Sequence, residues 1–149
     1  GIHMQHKLSA RVRNITPSAT VELTNRVAEL RAQGIDVISF GLGEPDFGTP
    51  KNISEAGKTA IDENHTKYTA VSGIAPLRQA ICDKLLRDNQ VSYTPNQISV
   101  GTGAKQPLFN AVQALVEEGD EVLLPTPCWV SYVEMIKLAG GVPVQVPYI

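Results

Sequence analysis

Apolar residues recur at helical spacing in three stretches of the first part of the chain. The first stretch carries them at i, i+4 and i+7 and predicts a helix that Gly34 ends, because glycine readily adopts the left-handed conformation found just past a helix. Two more amphipathic helices are predicted, from Pro50 to about Asn64 and from Pro76 to Asn89. A strand-like run at residues 36–40 leads into a glycine-rich loop at residues 41–48.

From Gln97 onward, short apolar runs alternate with helical ones. The predicted order is strand Ile98–Val100, helix Ala104–Glu118, strand Glu121–Leu124, helix Val130–Ala139 and strand Val142–Val146. Strands that alternate with helices of this length are typical of βαβ units. The sequence therefore predicts an α/β fold in which N-terminal helices precede a βαβαβ run.

Composition and charge narrow the class of protein. The 149 residues are 42% hydrophobic and 19% charged, which is ordinary for one globular domain or part of one. The net charge of -2 comes without a basic stripe, so nucleic acid and anionic membranes are not expected partners. No apolar run approaches the roughly 18 residues of a spanning helix. We expect a soluble, cytoplasmic protein.

Cysteines and the first residues carry no candidate chemistry. Cys82 and Cys128 share no spacing typical of metal ligands, so they are expected to be reduced thiols and no metal site is predicted. Residues 1–4 look like a vector-derived scar and are left out of the functional argument.

A glycine turn at Gly101–Gln106 is the first candidate site. It follows a predicted strand and opens a predicted helix, whose first backbone N–H groups lack intrahelical partners and favour an anion such as phosphate. The dinucleotide fingerprint would place a third glycine where Gln106 stands, and the P-loop motif is absent. Taken alone, the turn is as compatible with a purely structural strand-to-helix connection as with an anion site.

Six motifs in order resemble the fold-type I pyridoxal-phosphate aminotransferases, class I and aspartate aminotransferase-like. The matching stretches are Pro17-Ser18-Ala19-Thr20, Gly41-Leu42-Gly43-Glu44-Pro45-Asp46-Phe47, Lys67-Tyr68-Thr69 with Gly73 and Leu77-Arg78 following, Gly101-Thr102-Gly103-Ala104-Lys105-Gln106, Gly119-Asp120-Glu121-Val122 and Trp129-Val130-Ser131-Tyr132. The resemblance covers about residues 8–148. It implies an N-terminal segment with a substrate loop at residues 5–48, and the first part of the cofactor-binding large domain at residues 49–149.

The resemblance also implies roles for single residues in binding pyridoxal 5'-phosphate. The backbone amides of Gly103, Ala104 and Lys105 would hold the cofactor phosphate. Trp129 would stack on the pyridine ring, where offset stacking favours a flat aromatic partner. Tyr68 would reach the phosphate of the neighbouring subunit, which implies a homodimer with shared active sites. Without the resemblance, a buried core tryptophan and a half-buried loop tyrosine are the alternatives.

Two further positions match the substrate side of the family's site. Gly43 would lie against the substrate carboxylate, and Thr20 belongs to a segment that closes over the site. A helix N-cap explains a threonine at position 20 equally well. Arg78 also matches a motif, but an arginine on a helix surface is the simpler interpretation and it receives no role.

The resemblance stops short of a complete active site. In the family, the aldimine lysine, the acid beside the pyridinium nitrogen and the arginine for the α-carboxylate lie in later sequence, so no catalytic residue is assigned in this chain. We therefore expect a fragment of an aminotransferase that moves an amino group from an amino acid, with aspartate as the default donor, to a 2-oxo acid. The fragment alone is expected to be inactive.

Three alternatives stay open at this stage. A pyridoxal-phosphate β-lyase or synthase of the same fold would share most of these motifs. A non-catalytic anion- or nucleotide-binding α/β module would use the turn at Gly101–Gln106 alone, and a segment that binds nothing is the third. In the family's sheet, the first two strands of the βαβαβ run are not neighbours. The isolated chain must therefore repack, dimerise through strand edges, or pair with the missing portion.

Overall fold

The computed structural model describes residues 7–148, so the scar expected at residues 1–4 lies outside the described residues. The chain divides into two compact units. The first combines the chain up to Glu44 with the chain from Phe109 onward, and the second is Pro45–Leu108.

Two helices open the first unit. Helix α1 (Ala10–Arg13) begins after Ser9, whose hydroxyl accepts a hydrogen bond from the Val12 N–H at 3.3 Å. Helix α2 (Ala19–Ala32) ends just before Gly34, which has a φ of 79°. The predicted helix and its glycine stop are confirmed.

The strand predicted at residues 36–40 is wrong. The segment is extended, but it joins no sheet among the described residues, whose one sheet has two strands elsewhere. It lies along α2 instead, where the Arg31 guanidinium donates to the Val37 carbonyl at 3.0 Å. Gly41 approaches Leu23 so closely that a Cβ at position 41 would stand 2.6 Å from Leu23 Cδ2. An extended run becomes a strand only when another strand pairs with it.

A βαβ unit forms the rest of the first unit. Strand β1 (Glu121–Thr126), helix α6 (Ser131–Leu138) and strand β2 (Val142–Pro147) follow one another, and the two strands pair in parallel from Glu121↔Val142 to Thr126↔Pro147. The buried side chains here are Leu124 of β1 and Met135 and Ile136 of α6. This helix thus packs on the sheet that it connects, as the alternating pattern predicts.

The two turns before the strands fix where the strands start. The Gly119 N–H donates to the Gly140 carbonyl at 2.9 Å, and the Val142 N–H donates to the Asp120 carbonyl at 2.7 Å. Gly140 has a φ of 83°, and a Cβ on Gly141 would lie 2.6 Å from Val116 Cγ1. Only glycine fits positions that need this conformation or this closeness.

The second unit is helical. It contains α3 (Lys51–Asp62), α4 (Ala75–Asn89), a 3₁₀ turn at Pro95–Gln97 and the start of α5 (Lys105–Leu115). Helix α3 begins one residue later than predicted, with Pro50 as its N-cap. Cys82 is the buried side chain of α4, and its thiol is free, as is that of half-buried Cys128 in the first unit.

Two predictions around α5 need correction. The first strand of the βαβαβ run, Ile98–Val100, is extended but forms no ladder among the described residues; its Val100 N–H donates to the Ser72 carbonyl at 2.9 Å. The run is therefore observed as βαβ. Helix α5 ends at Leu115 rather than Glu118, because the Asp120 carboxylate accepts from the Glu117 N–H at 2.9 Å and closes a turn there.

Within residues 7–148, none of the helices has the length and apolar character needed to cross a membrane.

Candidate functional site

The glycine turn at Gly101–Gln106 lies in the second unit and is built so that only glycine fits its first position. A Cβ on Gly101 would stand 2.7 Å from Pro107 Cγ and 2.8 Å from Pro107 Cδ, which is closer than carbon atoms pack. The proline ring is fixed to the first turn of α5 and cannot move away easily. Gly101 therefore lets the preceding extended segment meet the helix directly.

Gly103 gives the same turn its open side. Its φ is 63°, in the left-handed region that favours glycine, and no atom lies within 4 Å of the place where its Cβ would stand. Gly103, Ala104 and Lys105 are all exposed at the start of α5. Gly103 itself thus places no side chain between its backbone and solvent.

The side chain of Gln106 forms a hydrogen bond inside the turn. Its side-chain oxygen accepts a hydrogen bond from the Thr102 N–H at 2.6 Å. The residue that replaces the third glycine of a dinucleotide loop therefore holds the bend in shape. The spacing is a possible sequence signal for this bond: Gln106 stands at a helix start, four residues after Thr102.

The electrostatics of the turn favour an anion. Helix α5 has 11 residues, and its N-terminal amides carry a partial positive charge. The first turn of α5 holds no acidic residue that would oppose a bound anion. The three residues predicted to hold a phosphate, Gly103, Ala104 and Lys105, are thus brought together on one exposed helix start.

Tyr68 lies in the same unit, in the connector between α3 and α4. Its side chain is fully exposed. The connector is fixed at both ends: the His65 N–H donates to the Ala60 carbonyl at 2.9 Å, and the Gly73 N–H donates to the Ala70 carbonyl at 2.9 Å. The tyrosine is therefore held on a short loop with its ring in solvent.

Trp129 lies in the first unit, three residues after β1 and just before α6. The carboxyl ends of parallel strands are where α/β folds bind ligands. The indole is 41% exposed and meets the ring of Tyr132 edge to face, with centroids 5.4 Å apart and planes at 89°. The Tyr132 N–H also donates to the Trp129 carbonyl at 3.2 Å. This ring is thus oriented by its neighbour rather than enclosed in a core.

Gly43 and Thr20, the two predicted substrate residues, also belong to the first unit. Gly43 is exposed, with no atom within 4 Å of a Cβ placed there. Thr20 stands in the first turn of α2 and accepts a hydrogen bond from the Ser18 hydroxyl at 3.3 Å. The N-cap of α2 is Ser18, so capping does not account for Thr20.

Arg78 is the residue that the sequence analysis misjudged. It is not a surface arginine, because it is half-buried and its guanidinium donates to two backbone carbonyls, to Gly73 O at 3.1 Å through Nε and to Pro95 O at 3.0 Å through Nη1. The second carbonyl is 17 positions away in sequence. A partner at that separation leaves no local pattern by which sequence reasoning could find it.

Comparison with known proteins assigns this architecture to a class. The family model of aminotransferase class I and II matches residues 35–149. The parallel βαβ unit and the glycine turn before α5 both lie within that match. The chain belongs to the class I and II aminotransferase family.

Individual relatives and solved structures show which aminotransferases the chain is similar to. The chain is 51% identical to the aspartate aminotransferase of Bacillus sp. (strain YM-2) over 96% of its length, and 55% identical to the aspartate/prephenate aminotransferase of Cereibacter sphaeroides over 93%. Among solved structures, the Thermus thermophilus aspartate aminotransferase with maleate superposes with a TM-score of 0.92 at 45% identity, over 96% of this chain and 37% of that one. The chain spans 36% and 35% of the two curated relatives.

Proposed function

We propose that this chain forms part of the cofactor site of a pyridoxal-phosphate-dependent aminotransferase that moves an amino group from an amino acid to a 2-oxo acid. Its family membership and its aspartate aminotransferase relatives support the reaction class. The observation that carries the proposal is the turn at Gly103, which is exposed and has open space where a Cβ would stand, at the start of a helix. Such a turn suits the phosphate of the cofactor.

The residues present fit the phosphate end of that cofactor. The N–H groups of Gly103, Ala104 and Lys105, just before and at the start of α5, would donate to phosphate oxygens, and the helix start would supply the opposite partial charge. Gln106 keeps the bend in shape through its bond to Thr102, so the amides need no rearrangement on binding. When bound, pyridoxal phosphate supplies the electron sink that stabilises a carbanion at the amino acid Cα.

Two aromatic residues complete the proposed contacts. Trp129 would stack on the pyridine ring, and its edge-to-face contact with Tyr132 supports this role because it orients the indole plane. Tyr68 donates its hydroxyl to the phosphate bound by a second copy of the chain. Its full exposure supports this role, because a side chain used across a subunit interface must project from its own subunit. The functional unit is accordingly a homodimer.

We propose a dicarboxylic amino acid, aspartate, as the donor. The relatives support this choice, since one is named for aspartate and another for aspartate and prephenate. The solved Thermus thermophilus structure contains maleate, a four-carbon dicarboxylate like aspartate. Gly43 makes room for the substrate carboxylate, and Thr20 lies on the segment that covers it.

A titration tests the cofactor assignment directly. Pyridoxal 5'-phosphate is added to the chain, and the fluorescence of Trp129, the single tryptophan, is followed. Stacking should quench the signal, and pyridoxal without the phosphate should bind at least about tenfold more weakly, because the charge-assisted bonds to α5 are lost. Equal affinity for pyridoxal and pyridoxal phosphate would contradict the proposal that the turn binds the phosphate.

The reaction itself is tested by assay. Because the family's cofactor-linked lysine is not matched by any lysine of this sequence, the 149-residue chain alone should form no glutamate from aspartate and 2-oxoglutarate with pyridoxal phosphate added. A complete enzyme that contains the chain should form glutamate and oxaloacetate. Release of pyruvate from a cysteine conjugate, with loss of its β-thiolate and without transfer of the amino group to 2-oxoglutarate, would instead assign the lyase chemistry of the same fold.

A further inference from the structure

Arg78 ties together three segments of the second unit. Its Nε donates to the Gly73 carbonyl at the end of the connector that carries Tyr68, and its Nη1 donates to the Pro95 carbonyl in the 3₁₀ turn. Arg78 itself sits in the first turn of α4. An arginine fork with two fixed acceptors orients both, since its donors lie in one rigid plane.

A second set of contacts joins the same connector to the segment before the glycine turn. The Val100 N–H donates to the Ser72 carbonyl at 2.9 Å. Gly73, with a φ of 102°, lies so near Val100 that a Cβ there would stand 2.7 Å from Val100 Cγ2. Val100 is followed at once by Gly101, so the connector touches the chain directly where the turn begins.

These contacts define what we call the Arg78 bridge: Arg78 with Ser72, Gly73, Pro95 and Val100. Tyr68 lies on the connector, four residues before Ser72 of the bridge. Gly103 lies in the glycine turn, three residues after Val100 of the bridge. The backbone segments that the bridge joins are themselves restrained. The turn at Ala70–Gly73 and the 3₁₀ turn at Pro95–Gln97 are each closed by their own backbone hydrogen bonds.

We infer that Arg78 is a positioning residue for cofactor phosphate, because the bridge fixes the glycine turn relative to the loop that carries Tyr68. The inference rests on the proposed function, in which both elements bind phosphate, one in the same subunit and one in the partner subunit. Arg78 touches no substrate or cofactor in this assignment. It acts by holding the backbone that does.

Arg78→Met is the informative substitution, because methionine keeps much of the apolar stem and removes all the donors. Arg87→Met is the matched control: Arg87 is on the same helix, but it is exposed and pairs with its neighbour Asp88 at 2.8 Å. Arg78→Lys is the graded variant, since one ammonium group cannot hold two carbonyls in the geometry of the guanidinium.

The first measurement needs no ligand. Amide hydrogen exchange of the chain should be about tenfold faster at Val100 and Gly73 in Arg78→Met than in the parent chain or in Arg87→Met, because both amides are hydrogen-bonded within the bridge and the guanidinium that restrains their segments is lost. Unchanged exchange at both amides in Arg78→Met would overturn the bridge. If Arg78→Met does not fold, the same comparison is made with Arg78→Lys.

The second measurement separates positioning from general stability. The ratio of the dissociation constants for pyridoxal and pyridoxal 5'-phosphate reports the phosphate alone, and a merely structural residue would shift both constants together. We expect this ratio to fall by about tenfold in Arg78→Met, less in Arg78→Lys and not at all in Arg87→Met. A parent chain with no preference for pyridoxal phosphate would refute the proposed function, and this inference with it. A normal preference that Arg78→Met fully retains would refute only the positioning role.

Discussion

Gln106 shows how one side chain can stand in place of a motif glycine and still hold the turn in shape. Its oxygen accepts from the Thr102 N–H, so the bend needs no third glycine to stay tight. The side chain is exposed beside the amides of Gly103 to Lys105, where a charge on it would act on a bound phosphate.

Gln106→Glu should therefore separate the two tasks of this residue. The carboxylate keeps an acceptor for Thr102, and a negative charge in the first turn of a helix is favourable by about 0.3–1 kcal/mol, so the unfolding midpoint should not fall. The same charge repels phosphate, and the dissociation constant for pyridoxal 5'-phosphate should rise by about tenfold. Fluorescence titration of Trp129 measures this.

Two comparisons control the experiment. Gln106→Met removes the acceptor without adding charge, and binding of pyridoxal without phosphate should be unaffected in Gln106→Glu. Equal loss of affinity for pyridoxal and pyridoxal phosphate in Gln106→Glu would mean that the charge acts on something other than the phosphate.

Features of the local backbone were predictable from sequence, whereas contacts between residues far apart in the chain were not. The anion-site prediction at Gly103 followed from a glycine pair at a helix start, and the structure has the positive φ and the open space that such a site requires. Arg78 was misjudged because one of its acceptors, Pro95, is far along the chain. The position of Trp129 after β1 could be predicted from sequence, but its contact with Tyr132 could not.

The same division holds for helices and strands. The predicted helices occur, with ends shifted by at most three residues, since caps and periodicity are properties of the segment itself. Residues 36–40 and 98–100 have strand composition but no strand ladder among the described residues. Strand formation depends on a partner that composition does not reveal, whereas β1 and β2 have each other.

Two glycines, one inside a helix and one in the turn between α6 and β2, allow a paired test of backbone conformation and space. Gly57 lies inside α3, with no atom within 4 Å of its Cβ position, so Gly57→Ala should raise the free energy of unfolding by about 0.5–1 kcal/mol. Gly140→Ala should lower it by more than that, because φ is 83° and the new Cβ would stand 3.1 Å from Glu118 Cα.

Urea denaturation of both variants beside the parent chain measures the two changes. A loss of stability in Gly57→Ala would mean that the exposed face of α3 is covered by something that excludes a methyl group.

Across the described residues, many large apolar side chains are exposed. Phe40 is 95% exposed and Leu115 is 82% exposed. On β1, Leu124 is buried while its neighbour Leu123, whose side chain points to the opposite face, is 69% exposed. Parallel sheets are normally covered on both faces, and a two-stranded sheet is marginal alone.

The 149-residue chain in isolation should therefore associate with itself as its concentration rises, because open strand edges and an uncovered apolar sheet face are both favourable contacts for a second copy. Leu123→Lys should weaken this association at little cost in stability, since a lysine on the open face stays in water. Leu124→Lys on the same strand should unfold the chain, because it buries an unpaired charge. Sedimentation velocity over a range of concentrations, with circular dichroism for each variant, distinguishes the two effects. A parent chain that remains monomeric throughout would show that the open face of β1 is not a contact surface between copies.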